Sequence, residues 1–296
     1  MVTVKVLLHA QMVLAALDAG TMIYCEWPLG NGQAEALRLS QRAIAAGVRT
    51  VCGLQARFSP AIRYAHDLIA EGYIGEVLAT TLVGSGHLWG AETPRQYAYA
   101  FDASNGATLV SVPVLHALDA LNFVIADFES VTASSTVRRH EVRIIEDEST
   151  QPVTAPDHVA IAGILRGGAV ASVFYRGGFS RGQNLRWEIN GSKGDLVFSA
   201  DTGIVQVADL KLEGGRKGDV AVREIRFLRD TMPSFRICPR AGHATSDTGT
   251  RSLRRICGKA LGWYQISSRP RSVTLCLTQF NWLRRAASVK SRNKAR

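Results

Sequence analysis

From Val2 to Gln55 the apolar and polar positions switch between two periods. "VTVKVLL" (2–8) is short and β-branched and predicts a strand, while "QMVLAALDA" (11–19) carries apolar residues at helical spacing and stops at Gly20. The pattern then repeats. "MIYCEW" (22–27) predicts a strand closing on Pro28, "GQAEALRLSQRAIAAG" (32–47) an amphipathic helix ending at Gly47, and "VRTVCGLQ" (48–55) a further strand. Alternating strands and helices with short Gly-marked joints imply right-handed βαβ units on a parallel sheet. In "SPAIRYAHDLIAEGYIG" (59–75) Ser59 stands at an N-cap, Pro60 at the first helical position, and Ile62, Ala65, Leu68 and Ile69 form one stripe.

Beyond Gly75 the period changes to two. Residues 76–84, 130–137, 157–166, 169–176, 184–190, 194–198 and 204–212 read as short strands, separated by turn signals such as "RGG", "NGSKG" and "EGG". One strong helix interrupts them at about 114–126, with Val114, Leu118, Leu121 and Ile125 on one face. The expected fold is α/β plus α+β. A partial Rossmann-like parallel sheet spans 1–75, a mostly antiparallel open-sheet domain 76–232, and a tail of unassigned structure 233–296.

Composition changes this picture at one end. The net charge of +10 resembles a nucleic-acid signal until it is located: residues 234–296 hold 14 Lys and Arg against one acid, Asp247, so they carry +13 and the body is near −3. The basic excess therefore describes a tail rather than a binding face on the folded body. No stretch of ~18 uninterrupted apolar residues occurs, and the opening run splits more naturally into a strand and a helix than into a signal peptide, so a cytoplasmic protein without a membrane span is expected. Five cysteines without a C-x-x-C pair give neither a disulfide framework nor a zinc signature, and Cys25 and Cys52 read as buried reduced thiols. No metal site is expected.

Four motifs in order carry a family resemblance: "YCEWPLG", "LQARFSPAIRYAHDLIAEGYIGEV", "NGATLVSVPVLHALDAL" and "WEINGSKGDL". They resemble, respectively, the E-K-P strand end, the R-[FY]-x-P helix with its G-x-I-G-x-[VL] exit, the glycine-rich helix ending in H-x-x-D, and the W-x-[IV]-x-G-[ST]-x-G-x-[LI] hairpin of the glucose-fructose oxidoreductase and inositol dehydrogenase (Gfo/Idh/MocA) family. The resemblance covers residues 1 to about 230. It implies NAD or NADP as cofactor, a sugar or polyol as ligand, Glu26, Trp27, Pro28 and Arg57 beside the cofactor, and His116 with Asp119 as the acid/base pair.

The departures matter as much. The E-K-P lysine position is Trp27 and the helix aspartate position is Val112, and neither side chain can orient or stabilise a developing alkoxide. This combination resembles a branch typified by the fungal galactose-regulon repressor, in which the site serves regulation. Trp27 is either a ring packed beneath a loop or an aromatic wall of the pocket. Asp119, three residues after His116, either holds its imidazole tautomer or forms an ordinary helix pair. Arg57 either reaches a ligand or closes a salt bridge, and Tyr97, Tyr99 and Asp102 lie in the stretch that resembles the substrate loop.

No G-x-G-x-x-G turn follows a first strand, since "GNGQAE" and "GSGHLW" lack the third glycine. By resemblance Met1 falls near the fourth Rossmann strand, so a truncated protein with weak dinucleotide binding is expected. The tail fits a nucleic-acid or anionic-membrane segment, irregular chain, or a reading-frame change in the gene. The resulting expectation is an oxidoreductase-family protein resembling NAD(P)-dependent sugar or polyol dehydrogenases, without independent turnover. The alternative is a sugar- or nucleotide-sensing regulator, and a homo-oligomer through the open sheet is expected in either case.

Overall fold

A computed structural model describes residues 1–227; the expected tail at 233–296 lies outside the described residues. The chain does not open with the expected strand at 2–8. Val2 makes a single parallel bridge to Cys25, Val6–Leu8 form a 3-10 turn, and helix α1 (His9–Asp18) follows at once. The cause is His9, 1% exposed, whose ring nitrogens lie 2.8 Å from Pro28 O and 3.0 Å from Val4 O and so draw residues 4–8 back over the helix start. β-branched composition alone cannot register that tether.

The alternation then holds. β1 (Ile23–Glu26), α2 (Gln33–Ala45) and β2 (Thr50–Gly53) follow, with β1 and β2 parallel and Cys25 opposite Cys52. Their small core is Val2, Val13, Leu17, Ile23, Cys25, Leu39 and Ala43. A 3-10 turn, Gln55–Phe58, leads into α3 (Pro60–Ala70), which buries Ala61, Ile62, Ala65 and Leu68. Ser59 occupies the N-cap position of α3, but its side chain makes no capping hydrogen bond.

The second unit is built on eight strands: β3 (Val77–Gly86), β5 (Phe128–Thr136), β8 (His158–Leu165), β9 (Val170–Gly177), β10 (Leu185–Gly191), β11 (Gly194–Ala200), β12 (Lys211–Arg216) and β13 (Arg223–Glu224). Their order is β13-β12-β11-β10-β3-β9-β8-β5, and every neighbouring pair is antiparallel except β3 with β9. A separate sheet joins β4 (Glu92–Thr93), β6 (Glu141–Ile144) and β7 (Thr150–Pro152). The architecture is thus a parallel α/β piece followed by a mostly antiparallel α+β sheet. Alternate residues of β8 and β9, Val159, Ile161, Ala171, Val173 and Tyr175, share one core with α3 and α4 (Leu115–Val124). The opposite face exposes Ile164, Val170 and Phe174.

Two elements depart from the sequence pattern. Residues 204–210 do not extend into a strand: Ile204, Val205 and Leu210 are buried in turns, and pairing begins only at Lys211. Gly203 sits directly on the Ser85 backbone, where an added Cβ would lie 2.1 Å from Ser85 O, and Tyr175 donates to Gly203 O at 2.9 Å. That docking fills the end of the core and leaves no edge for a ladder. The expected helix at 114–126 is α4, Leu115–Val124, but a π-helical turn, Val110–Val114, that the pattern does not show leads into it. Pro113 has no N–H to give Leu109 O, which accepts from Val114 five residues on at 3.2 Å.

Candidate functional site

The carboxyl ends of β1 and β2 carry Glu26, Trp27, Pro28, Gln55 and Arg57, facing the π turn and α4 of the second unit. In α/β folds ligands bind at such strand ends. Glu26 is half-buried and its N–H donates to Val2 O at 3.1 Å, while Pro28 O faces the His9 ring. Trp27 is partly buried. Its Nε1–H donates to Ser111 O at 2.7 Å, and its ring packs on the large core with its edge toward His116, centroids 6.5 Å apart at 69°. Val112, at the family's aspartate position, is a partly buried apolar residue on that core.

His116 and Asp119 are both 2% exposed, yet they are not partners. Asp119 accepts a forked pair from Arg57: Nε donates to Oδ2 at 2.7 Å and Nη2 donates to Oδ1. A fork that uses both oxygens as acceptors favours the ionised carboxylate. Burial pushes the Asp119 carboxyl above the ordinary carboxylate value, and the Arg57 hydrogen bonds and charge oppose that push. His116 has the reverse setting. Its Nδ1 is buried with no hydrogen-bond partner, and burial drives its pKa down to about 3. The imidazole is therefore neutral at physiological pH, and the geometry gives it no carboxylate to orient it.

Five further residues that brace these elements carried no sequence signal. Lys5 holds its ammonium 4.6 Å over the Tyr99 ring, and Ser111 knots the π turn by donating to Gly106 O at 2.6 Å and accepting from Thr108 N–H at 2.7 Å. Gln55 Oε1 is buried without a partner, and His9 tethers the Pro28 loop from below. Asn31 ties the loop after Pro28 to Ser104 O at 2.9 Å. Of the loop residues singled out earlier, Tyr97 is exposed, Tyr99 lies beneath Lys5, and Asp102 accepts from Ser104 N–H at 2.9 Å, which holds its carboxyl below the usual range. Cys25 is buried, its thiol pushed up to about 12, while Cys52 is only half-buried.

The arrangement offers an aromatic edge, a neutral imidazole and two unsatisfied buried polar atoms, Gln55 Oε1 and His116 Nδ1. Unsatisfied buried polar atoms of this kind suit an amide or hydroxyl partner. Among the described residues no group of three or more His, Cys, Asp or Glu is placed to hold a metal, and no helix is long and apolar enough to cross a membrane.

A family described as Gal80p, C-terminal domain, matches residues 60–200. The chain is 29% identical over 239 residues to the galactose/lactose metabolism regulatory protein GAL80 of Saccharomyces cerevisiae, covering 74% of this chain and 54% of that protein. To the GAL80 protein of Kluyveromyces lactis it is 32% identical over 231 residues, 71% of this chain and 50% of that protein. The chain thus spans about half the length of these curated relatives. Levoglucosan dehydrogenase of Pseudarthrobacter phenanthrenivorans is 26% identical over 229 residues, 71% of this chain and 58% of that protein. A solved levoglucosan dehydrogenase in complex with NADH and L-sorbose shares the fold, with a TM-score of 0.74 at 20% identity over 97% of this chain and 76% of that one. Residues 60–200 thus match the Gal80p C-terminal domain family, and over most of its length the chain is similar both to Gal80 regulatory proteins and to Gfo/Idh/MocA-type dehydrogenases.

Proposed function

We propose that this protein is a ligand-sensing relative of the sugar and polyol dehydrogenases, using the region at the carboxyl ends of β1 and β2, beside Trp27 and His116, for occupancy rather than turnover. One observation carries the reading: the buried imidazole of His116 has no carboxylate partner, because Asp119 is committed to Arg57. Proton relay from a substrate hydroxyl needs a base poised near the working pH, and a group held down to about 3 is a weak base. The ligand class is a small sugar or polyol. Glu26, Trp27, Pro28 and Arg57 line the side where the family places NAD or NADP, which when bound supplies hydride chemistry. In this chain Trp27 and Arg57 engage Ser111 and Asp119, so their part is to shape the wall.

The reading includes a cytoplasmic location, which suits the free Cys25, and a homo-oligomer through the sheet face that exposes Ile164, Val170 and Phe174. Contact with nucleic acid through the basic tail would lie outside the described residues. The test is titration of the protein with NAD, NADP and a panel of monosaccharides and polyols, following tryptophan fluorescence and NAD(P)H absorbance together. Saturable quenching by at least one compound, reduced at least about tenfold in affinity by Trp27→Ala and without NAD(P)H formation, is expected. Steady NAD(P)H formation that is lost in His116→Ala would overturn the reading and favour an active dehydrogenase, the reading that the levoglucosan dehydrogenase similarity supports.

A further inference from the structure

We infer that Arg57 is a positioning residue of this site: by engaging both oxygens of Asp119 it withholds that carboxylate from His116, one helical turn earlier, and thereby sets the imidazole as an uncharged ligand-binding group. The inference rests on the reading that His116 serves binding, and it adds what keeps His116 in that state. On an α-helix, side chains three residues apart are neighbours, with Cβ atoms about 5–6 Å apart. His116 and Asp119 stand in that relation on α4, so without a competitor the carboxylate would be the natural counterion of the imidazole.

The competitor comes from outside α4. Arg57 sits on the 3-10 turn after β2, 62 residues away in sequence, and is braced on its far side by the Phe123 ring, 5.6 Å from the guanidinium carbon. Phe123 is itself stacked on His66 of α3, centroids 4.7 Å apart at 19°. Arg57 therefore grips α4 at two successive turns, by charge at Asp119 and by ring contact at Phe123. Among the described residues, the charged groups that bear on Asp119 are Arg57 and, past the end of α4, Asp127, whose charge opposes ionisation. Trp27 faces the imidazole from the β1 loop and contributes no charge. The planar fork cannot be reproduced by an ammonium, which reaches as a point charge.

The test needs no ligand, so its failure is separable from failure of the binding proposal. Imidazole nitrogen NMR of the full chain, with His116→Gln used to assign the signal, reads the charge of His116 directly. In the native protein His116 should remain neutral from about pH 8 to about pH 5. In Arg57→Gln the freed carboxylate should raise its titration midpoint by at least about two pH units, and adding Asp119→Asn should abolish that rise. If Arg57→Gln does not fold, Arg57→Lys, which leaves one oxygen of Asp119 without its partner, should give a smaller rise of the same sign. A native His116 that is charged at about pH 6, or folded Arg57 variants in which its titration does not move, would overturn the inference: the first means that Asp119 already serves His116, the second that the freed Asp119 takes up a proton instead of pairing.

Discussion

Acid should weaken this protein through His116 in particular, and replacing that residue should remove a definite share of the loss. In the unfolded chain the imidazole titrates near its ordinary 6.5, whereas burial holds it down to about 3 in the fold. The sign follows directly. Below about pH 6.5 the unfolded state binds a proton that the folded state refuses, so stability attributable to His116 is complete above that pH and is lost as pH falls toward about 3. Each pH unit in that window corresponds to about 1.4 kcal/mol, so between about pH 6.5 and about pH 4 the loss amounts to roughly 3 kcal/mol, a large part of a typical domain's margin. His116→Phe removes the titration, keeps an aromatic ring in an apolar site, and deletes the unpartnered Nδ1. Urea unfolding of both proteins at about one-unit steps from pH 7 to pH 4 measures the difference; carboxylates common to the two cancel in the subtraction. The native-minus-variant stability should fall with a slope of about 1.4 kcal/mol per pH unit below about pH 6. Parallel curves would show that His116 is hydrated or carboxylate-paired in solution, and would refute the argument from burial.

Further outcomes test other parts of the structure. Gly203→Ala places a Cβ 2.1 Å from Ser85 O and 2.2 Å from Ser85 N, both rigid backbone, and should cost about 1–3 kcal/mol or more in thermal or urea unfolding; an unchanged midpoint would mean that residues 204–210 are not docked there. Thr80→Val removes the oxygen that accepts from Trp187 Nε1 at 2.8 Å and donates to Glu188 O at 2.8 Å, leaving a buried indole N–H unsatisfied at a cost of about 1–3 kcal/mol by the same measurement. Peptide-mapped alkylation of the native protein near neutral pH should label the half-buried Cys52 well before Cys25, whose thiol is pushed up to about 12; equal labelling would contradict the burial of β1.

Local pattern determined much of this protein. The period-two alternation in "HVAIAGIL" and "VASVFYRG" already places Val159, Ile161, Ala171, Val173 and Tyr175 on one face, and the structure buries those residues. The stripe through Ile62, Ala65 and Leu68 likewise reads as α3, because both periods follow from where successive side chains point on a helix or strand. Of the residues the motifs singled out, Trp27 packs beside His116 and Arg57 pairs with Asp119. What local pattern could not supply was who partners whom. "VTVKVLL" has strand composition, yet a tether from His9 to Pro28, 19 residues on, folds it into a turn. Residues 204–210 look like a strand until Gly203 docks on Ser85. Spacing puts Asp119 beside His116, but an arginine 62 residues away takes the carboxylate. Spacing along one element fixes which residues are neighbours on it. Competition among groups from different elements is settled only when the fold brings them within hydrogen-bond reach in a medium where an unpaired charge is costly, and here that competition decides the chemistry of the site.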